Sequence, residues 1–152
     1  MTVQAFHQQL QEAHAHGDYA GLLAMIPYAK LIGLQCQRQD ADLLFCLPAH
    51  PDNIGNPLLP AIHGGVLAGF MELSATLHVL VCSQSPSLPE VIDFSIDYLC
   101  AARHRDTFAR CQVQRQGRRV TNVAITAWQG DPGAPVATAR AHLKIEPQAP
   151  LK

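Results

Sequence analysis

Charge is scarce in this chain: Asp, Glu, Lys and Arg make up only 15% of its 152 residues, against 48% apolar ones. A lone domain needs more polar side chains than that to cover its surface, so the shortage predicts oligomerisation. Neither sign of charge dominates, since the formal net charge is −1. No positive field exists to gather phosphates, which argues against nucleic-acid binding. Metal-ligand patterns are missing too. The five cysteines (Cys36, Cys46, Cys82, Cys100, Cys111) are odd in number and include no CxxC, and the eight histidines lack ligand spacing. Reduced, mostly buried thiols and no metal or resident cofactor are expected. Met1 to Gly17 has Gln, His and Glu where a signal peptide needs an apolar core. The longest apolar run, Val66 to Val81, is interrupted by Glu72, Ser74, Thr76 and His78, which argues against a membrane span. The expectation is a cytoplasmic protein. No internal repeat or low-complexity segment is visible.

The length suits one domain with a real core. Residues Val3 to Ile26 have helix-forming composition broken at Gly17-Asp18, where Asp18 can cap a second short helix, and Pro27 is read as the end of that segment. Lys30 to Gln39 and Ala41 to Leu47 read as a strand pair around Asp40, followed by a Pro/Asn/Gly-rich loop from His50 to Ile62. Gly64 to Val81 is apolar on every side, the pattern of a helix enclosed by its neighbours. After a Ser/Pro loop, Ser83 to Pro89, the period becomes that of strands: Val91 to Ala101, Thr107 to Gln116, Arg119 to Gln129 and Pro135 to Ile145. Two strands, a long buried helix and four more strands predict an α+β fold, with a curved antiparallel sheet of about six strands wrapped around one central helix. The organisation expected is an N-terminal helical extension over 1–29 and a main domain over 30–147.

The most informative stretch is Ala61-Ile62-His63-Gly64-Gly65-Val66-Leu67-Ala68-Gly69-Phe70-Met71-Glu72. Two glycines at a helix start let backbone approach a ligand closely, and first-turn N–H groups have no intrahelical partners. With the helix dipole they form a site for negative charge, either a phosphate or the oxyanion of an attacked carbonyl. The plainer alternative is that the glycines only permit a tight loop-to-helix turn. Glu72 is the one carboxylate in an otherwise apolar helix. It is either a base or nucleophile in an apolar site, or a Glu that simply faces solvent or pairs with an Arg. Gly64 and Glu72 are eight residues apart, roughly 12 Å along a helix, so one carbonyl cannot touch both. If both act on one substrate, they come from different copies of the chain. A two-fold dimer with antiparallel helices would then make two composite sites.

His63-Gly64-Gly65-Val66, with an acid nine positions after the His, resembles the PaaI-like acyl-CoA thioesterases of the hotdog superfamily. The resemblance continues in Ile92-Asp93-Phe94-Ser95-Ile96-Asp97-Tyr98-Leu99 and in the turn Arg115-Gln116-Gly117-Arg118-Arg119-Val120, and covers about Lys30 to Ile145. It implies the hotdog fold and hydrolysis of acyl-CoA thioesters by a homodimer or dimer of dimers. Glu72 would be nucleophile or general base and the Gly65 amide the carbonyl-polarising donor. Coenzyme A enters only as part of the substrate. The Asn that relatives often carry before the His is matched by Asn56, seven positions before His63, while Pro57 stands at the six-residue spacing of some members. The Ser or Thr that commonly opens the strand after the helix is replaced by Val91, and a basic residue after Tyr-Leu by Cys100. His63 is expected to shape the loop or donate a hydrogen bond near the site, or simply to cap the helix. Gly64, Val66, Phe70 and Val91 are the expected lining of the substrate site.

Six of the eleven basic residues fall between Arg103 and Arg119. Guanidinium groups bind phosphates well, and Arg118 and Arg119, at a Gly turn, are the candidates for the phosphates of coenzyme A, whereas Arg110 and Arg115 read as a solvated strand face. Two rival readings are a non-catalytic acyl-CoA binding or sensing module and a hotdog hydratase or dehydratase acting on enoyl thioesters.

Overall fold

The computed structural model describes residues 2–83 and 87–147. Helix α1 (Val3–His16) starts where the Thr2 hydroxyl accepts the Ala5 N–H at 3.2 Å and stops at Gly17, whose φ is 69°. Asp18 Oδ1 accepts the Ala20 N–H at 2.9 Å and opens the short α2 (Ala20–Ala24). Pro27 does not end the helical segment. It opens α3 (Pro27–Ile32), because its fixed φ suits a first helical turn and its missing N–H is not needed there. Gly33, at φ 77°, terminates α3, so the strand expected from Lys30 begins only at Gln35. Phe6, Leu10, Tyr19, Leu22 and Ile32 from these helices belong to the same apolar cluster as the inner side of the sheet.

The strands that follow are β1 (Gln35–Gln39), β2 (Asp42–Leu47), β3 (Ile54–Asn56), β4 (Ala61–Ile62), β5 (Glu90–Tyr98), β6 (Thr107–Gln116), β7 (Val120–Trp128) and β8 (Pro135–Lys144). Six of them form one antiparallel sheet in the order β1-β2-β6-β7-β8-β5. The loop expected over His50 to Ile62 instead holds a 3-10 turn at Pro51–Asn53 and the small β3-β4 ribbon. Residues 84–86 of the expected Ser83 to Pro89 loop lie outside the described residues. Strand β5 is an edge strand, and Val91, Ile92, Tyr98 and the following Leu99 are exposed there.

The long helix α4 (Gly64–Cys82) lies against this sheet. Its length and composition would suit a membrane span, but it serves here as the core helix. It is enclosed on every side only in its second half. Ser74 to Val81 are all buried, whereas Gly65 is exposed and Ala68, Gly69 and Glu72 are half-buried. The hydroxyls of Ser74 and Thr76 donate to the carbonyls of Phe70 and Glu72 at 2.7 and 3.0 Å, so neither is left unpaired in the core.

Phe70 is fully buried, which corrects its expected place in a substrate pocket. The cause is helical phase: at 3.6 residues per turn, Phe70 and Glu72 point about 200° apart, so Phe70 faces the sheet. Val66, one turn before Phe70 on the same side, is half-buried and packs on the core as well. The thiols are less enclosed than expected, since Cys111 is buried, Cys36 and Cys46 are half-buried, and Cys82 and Cys100 are exposed. Burial pushes the Cys36 thiol up to about 12 and that of Cys46 up to about 11, so both stay protonated.

Two predictions follow from this packing. Phe70→Ala should lower folding stability by about 3–5 kcal/mol in urea titration, the range for a buried aromatic; a change within experimental error would return Phe70 to the pocket. His78 is buried with Nδ1 3.9 Å from Asp42 Oδ1, and desolvation outweighs the carboxylate and pushes its pKa below 6.5. The unfolded chain then binds the proton more readily. The stability present above about pH 6.5 is lost as pH falls through the lowered folded value. His78→Gln should therefore lose less stability than the wild type between about pH 7.5 and about pH 5.5. Equal losses would show that this histidine does not set the acid limb.

Candidate active site

The exposed start of α4 is built around His63. Its Nδ1 accepts the Gly65 N–H at 2.9 Å, and its carbonyl accepts those of Val66 and Leu67 at 2.9 and 3.1 Å. Three of the four first-turn donors are thus occupied, and the expectation of a free Gly65 amide is corrected. The Gly64 N–H is the one without an acceptor among the described residues. Because Nδ1 accepts, this histidine carries its ring proton on Nε2.

Several contacts hold this turn in place. The His63 N–H donates to the Asn53 carbonyl at 2.8 Å, and the buried Asn53 side chain donates from Nδ2 to the Ile32 carbonyl at 2.9 Å. Asn53 therefore ties the end of α3 to the start of α4. Gly55 of the ribbon must be glycine, since a Cβ there would lie 2.7 Å from His63 Cα. From β5, Tyr98 Oη donates to the Gly64 carbonyl at 2.6 Å. A Cβ on Gly64 would lie 3.2 Å from that hydroxyl, a tight contact that the first glycine of the pair avoids. Sequence reading missed the roles of Asn53 and Tyr98. Tyr98 stood in a segment already singled out, but nothing in the sequence marks Asn53 among the polar residues of its loop.

Glu72 sits two turns along the same helix, about 12 Å of rise from Gly64. The residue is half-buried, and no cation or hydrogen-bond donor reaches its carboxylate among the described residues. Gly65, Gly69 and Glu72 share one face of α4, and they are among its incompletely buried residues. Asn56 does not join them by any contact. It is exposed, and its Oδ1 accepts the N–H groups of Leu58 and Leu59 at 3.0 and 3.3 Å, which shapes its own turn. Val91 is exposed near the start of β5, paired with Leu143.

Arg118 and Arg119 line a second feature, a cleft of about 490 Å³ shared with Arg115, Asn122 and His142. Arg115, read from sequence as part of a solvated face, is brought in by a register shift in the β6-β7 pairing between Val113 and Arg115. None of the three guanidinium groups has a carboxylate or hydrogen-bond partner among the described residues. His142 is held by Asp93, with Nδ1 2.7 Å from Oδ1. Among the described residues, no group of three or more His, Cys, Asp or Glu side chains is arranged to hold a metal ion.

The model of the Thioesterase superfamily matches residues 59–136, a span that includes His63, both glycines and Glu72. A protein from Chromobacterium violaceum is 37% identical, with 95% of this chain and 99% of that chain covered and a TM-score of 0.75. A phenylacetic acid degradation-related protein from Ralstonia eutropha shares the fold at 22% identity, covering 78% of this chain and 89% of that one with a TM-score of 0.69. A thioesterase from Haemophilus influenzae does so at 18% identity, covering 76% and 80%, with a TM-score of 0.68. No functionally curated protein matches the sequence. With half of its length matched by the family model, and with a six-stranded antiparallel sheet packed on one long helix, the chain belongs to the thioesterase superfamily and has its hotdog fold.

Proposed function

We propose that this protein hydrolyses acyl-CoA thioesters to the free acid and coenzyme A, working as a homodimer with two composite sites. The observation that carries the reading is Glu72, a half-buried residue without a partner among the described residues, on the same partly uncovered first half of α4 as an unoccupied first-turn amide. In this reading the thioester carbonyl accepts a hydrogen bond from Gly64 N–H, at the positive end of the α4 dipole. Glu72 of the partner subunit takes a proton from water, and the resulting hydroxide adds to the carbonyl carbon. The tetrahedral oxyanion is held by the amide until it collapses and the C–S bond breaks. The departing thiolate then takes the proton back from the Glu72 carboxyl. Direct attack by the carboxylate is the variant in which an anhydride forms first and water cleaves it, releasing the same products.

The roughly 12 Å between Gly64 and Glu72 favours two chains over one. Strand β5 favours a dimer as well, since it is an edge with exposed Val91, Ile92, Tyr98 and Leu99. The arginine cleft suits the phosphates of coenzyme A, because three unpaired guanidinium groups around one cleft repel one another until an anion enters. Two observations favour the second reading, a non-catalytic acyl-CoA binder: Val91 has no hydroxyl, and the Asn56 Oδ1 is engaged in its own turn.

A thiol-release assay over short, medium, long and aryl acyl-CoAs separates these readings. The hydrolytic one requires release, and tight binding without release from any of them supports the binder. Glu72→Ala should lower kcat by about 10²–10⁴, the usual weight of a positioned base, with folding intact or improved. Wild-type turnover by this variant on every accepted substrate would sink the mechanism. Arg118→Ala with Arg119→Ala should raise KM for an acyl-CoA about tenfold or more but leave KM for the matching acyl-pantetheine, which has no phosphates, unchanged. An equal rise for both would remove the cleft from substrate binding. An enoyl thioester that gains water, with no thiol set free, would point to a hydratase instead.

A further inference from the structure

Gly69 is explained by a side chain that the reaction scheme leaves unused. A Cβ at position 69 would lie 2.5 Å from Tyr28 Cε1 and 2.7 Å from Tyr28 Oη. The Tyr28 ring therefore occupies the space directly above Gly69, and this position accepts nothing larger than glycine while the ring is there. Tyr28 comes from α3, the end of which is tied to the start of α4 through Asn53. The backbone at the end of α3 is anchored by this tie, and the ring of Tyr28, a residue 39% exposed, lies on the face shared by Gly65, Gly69 and Glu72, about 6 Å of rise beyond Gly65.

We infer that Tyr28 is the wall that ends the acyl pocket, and that this enzyme selects short or compact acyl groups. The inference rests on the hydrolytic reading above. With the thioester carbonyl at the Gly64 amide, the acyl chain runs along the small residues Gly65 and Ala68 of α4 toward the covered Gly69. They offer no hydrogen-bonding side chain and suit the apolar part of the substrate. The tyrosine ring interrupts that path one turn beyond Gly65. A chain that passes this point must displace an aromatic ring or bend into solvent, and each methylene that fails to fit lowers kcat/KM about tenfold or more. Tyr28 touches the acyl end and not the reacting atoms, so it sets specificity and takes no part in bond making.

The test is a profile of kcat/KM over acetyl-, butanoyl-, octanoyl- and dodecanoyl-CoA for wild type, Tyr28→Ala, Tyr28→Phe and Tyr28→Trp, with the melting temperature of each as a folding control. Wild type should favour the shorter substrates. Tyr28→Ala should raise the octanoyl-to-butanoyl ratio about tenfold or more, Tyr28→Trp should lower it, and Tyr28→Phe should keep the wild-type profile. A purely structural tyrosine would scale all substrates together. Parallel profiles in Ala and Trp variants, or a Phe variant as altered as the Ala variant, would overturn the assignment. If the wild type releases no thiol from any substrate, the hydrolytic reading falls by itself. The wall is then judged from dissociation constants of the same acyl-CoAs by calorimetry, where opposite shifts in Ala and Trp variants sustain it and parallel ones overturn it.

Discussion

Helix α4 has to bury one side against a sheet while its first half keeps another side uncovered. Leu67, Phe70, Met71 and Ala75 commit the sheet-facing side, and their burial fixes the rotation of the whole helix. With that rotation set, Gly65, Gly69 and Glu72 point away from the sheet, and nothing in the same chain covers them completely. A rotation by one residue position, about 100°, would bury the carboxylate and expose an apolar side chain. The position of the candidate acid is therefore a by-product of core packing, which makes it hard to disturb without unfolding the domain.

The turn into α4 is equally constrained. His63 is at once the N-cap, the acceptor for the Gly65 amide and the residue whose own N–H is held by Asn53. Its ring closes off one glycine amide and leaves the other available, a division of labour set by cap geometry. Tyr98 fixes the Gly64 carbonyl from β5. Since β5 is also the exposed edge of the sheet, any copy that pairs there would sit close to the same turn. Assembly and site geometry would then be linked through one strand.

The N-terminal helices are more than an appendage, because their apolar residues join the core cluster and α3 brings Tyr28 onto the open face of α4. The arginine cleft arises differently. Arg118 and Arg119 are neighbours at a turn and could be paired from sequence, but Arg115 enters only because a bulge in β6 shifts its register against β7. A strict two-residue alternation gives no warning of such a shift.

The order of the strands along the chain, the long apolar helix and the acid nine positions after His63 were all legible from periodicity and spacing, because these patterns are local. The helix opened by Pro27 was misread, since a proline stops one helix and starts another with the same φ, and only the flanking Gly33 cap decides which. The burial of Phe70 was not legible because a helix apolar all round carries no phase in its sequence; contact with the sheet supplies it. Which glycine amide remains free, how Asn53 ties α3 to α4, and the ring above Gly69 depend on atoms brought together from distant positions. Those were decided by the tertiary structure alone, because hydrogen bonds and steric contacts act through space and leave no trace in residue spacing.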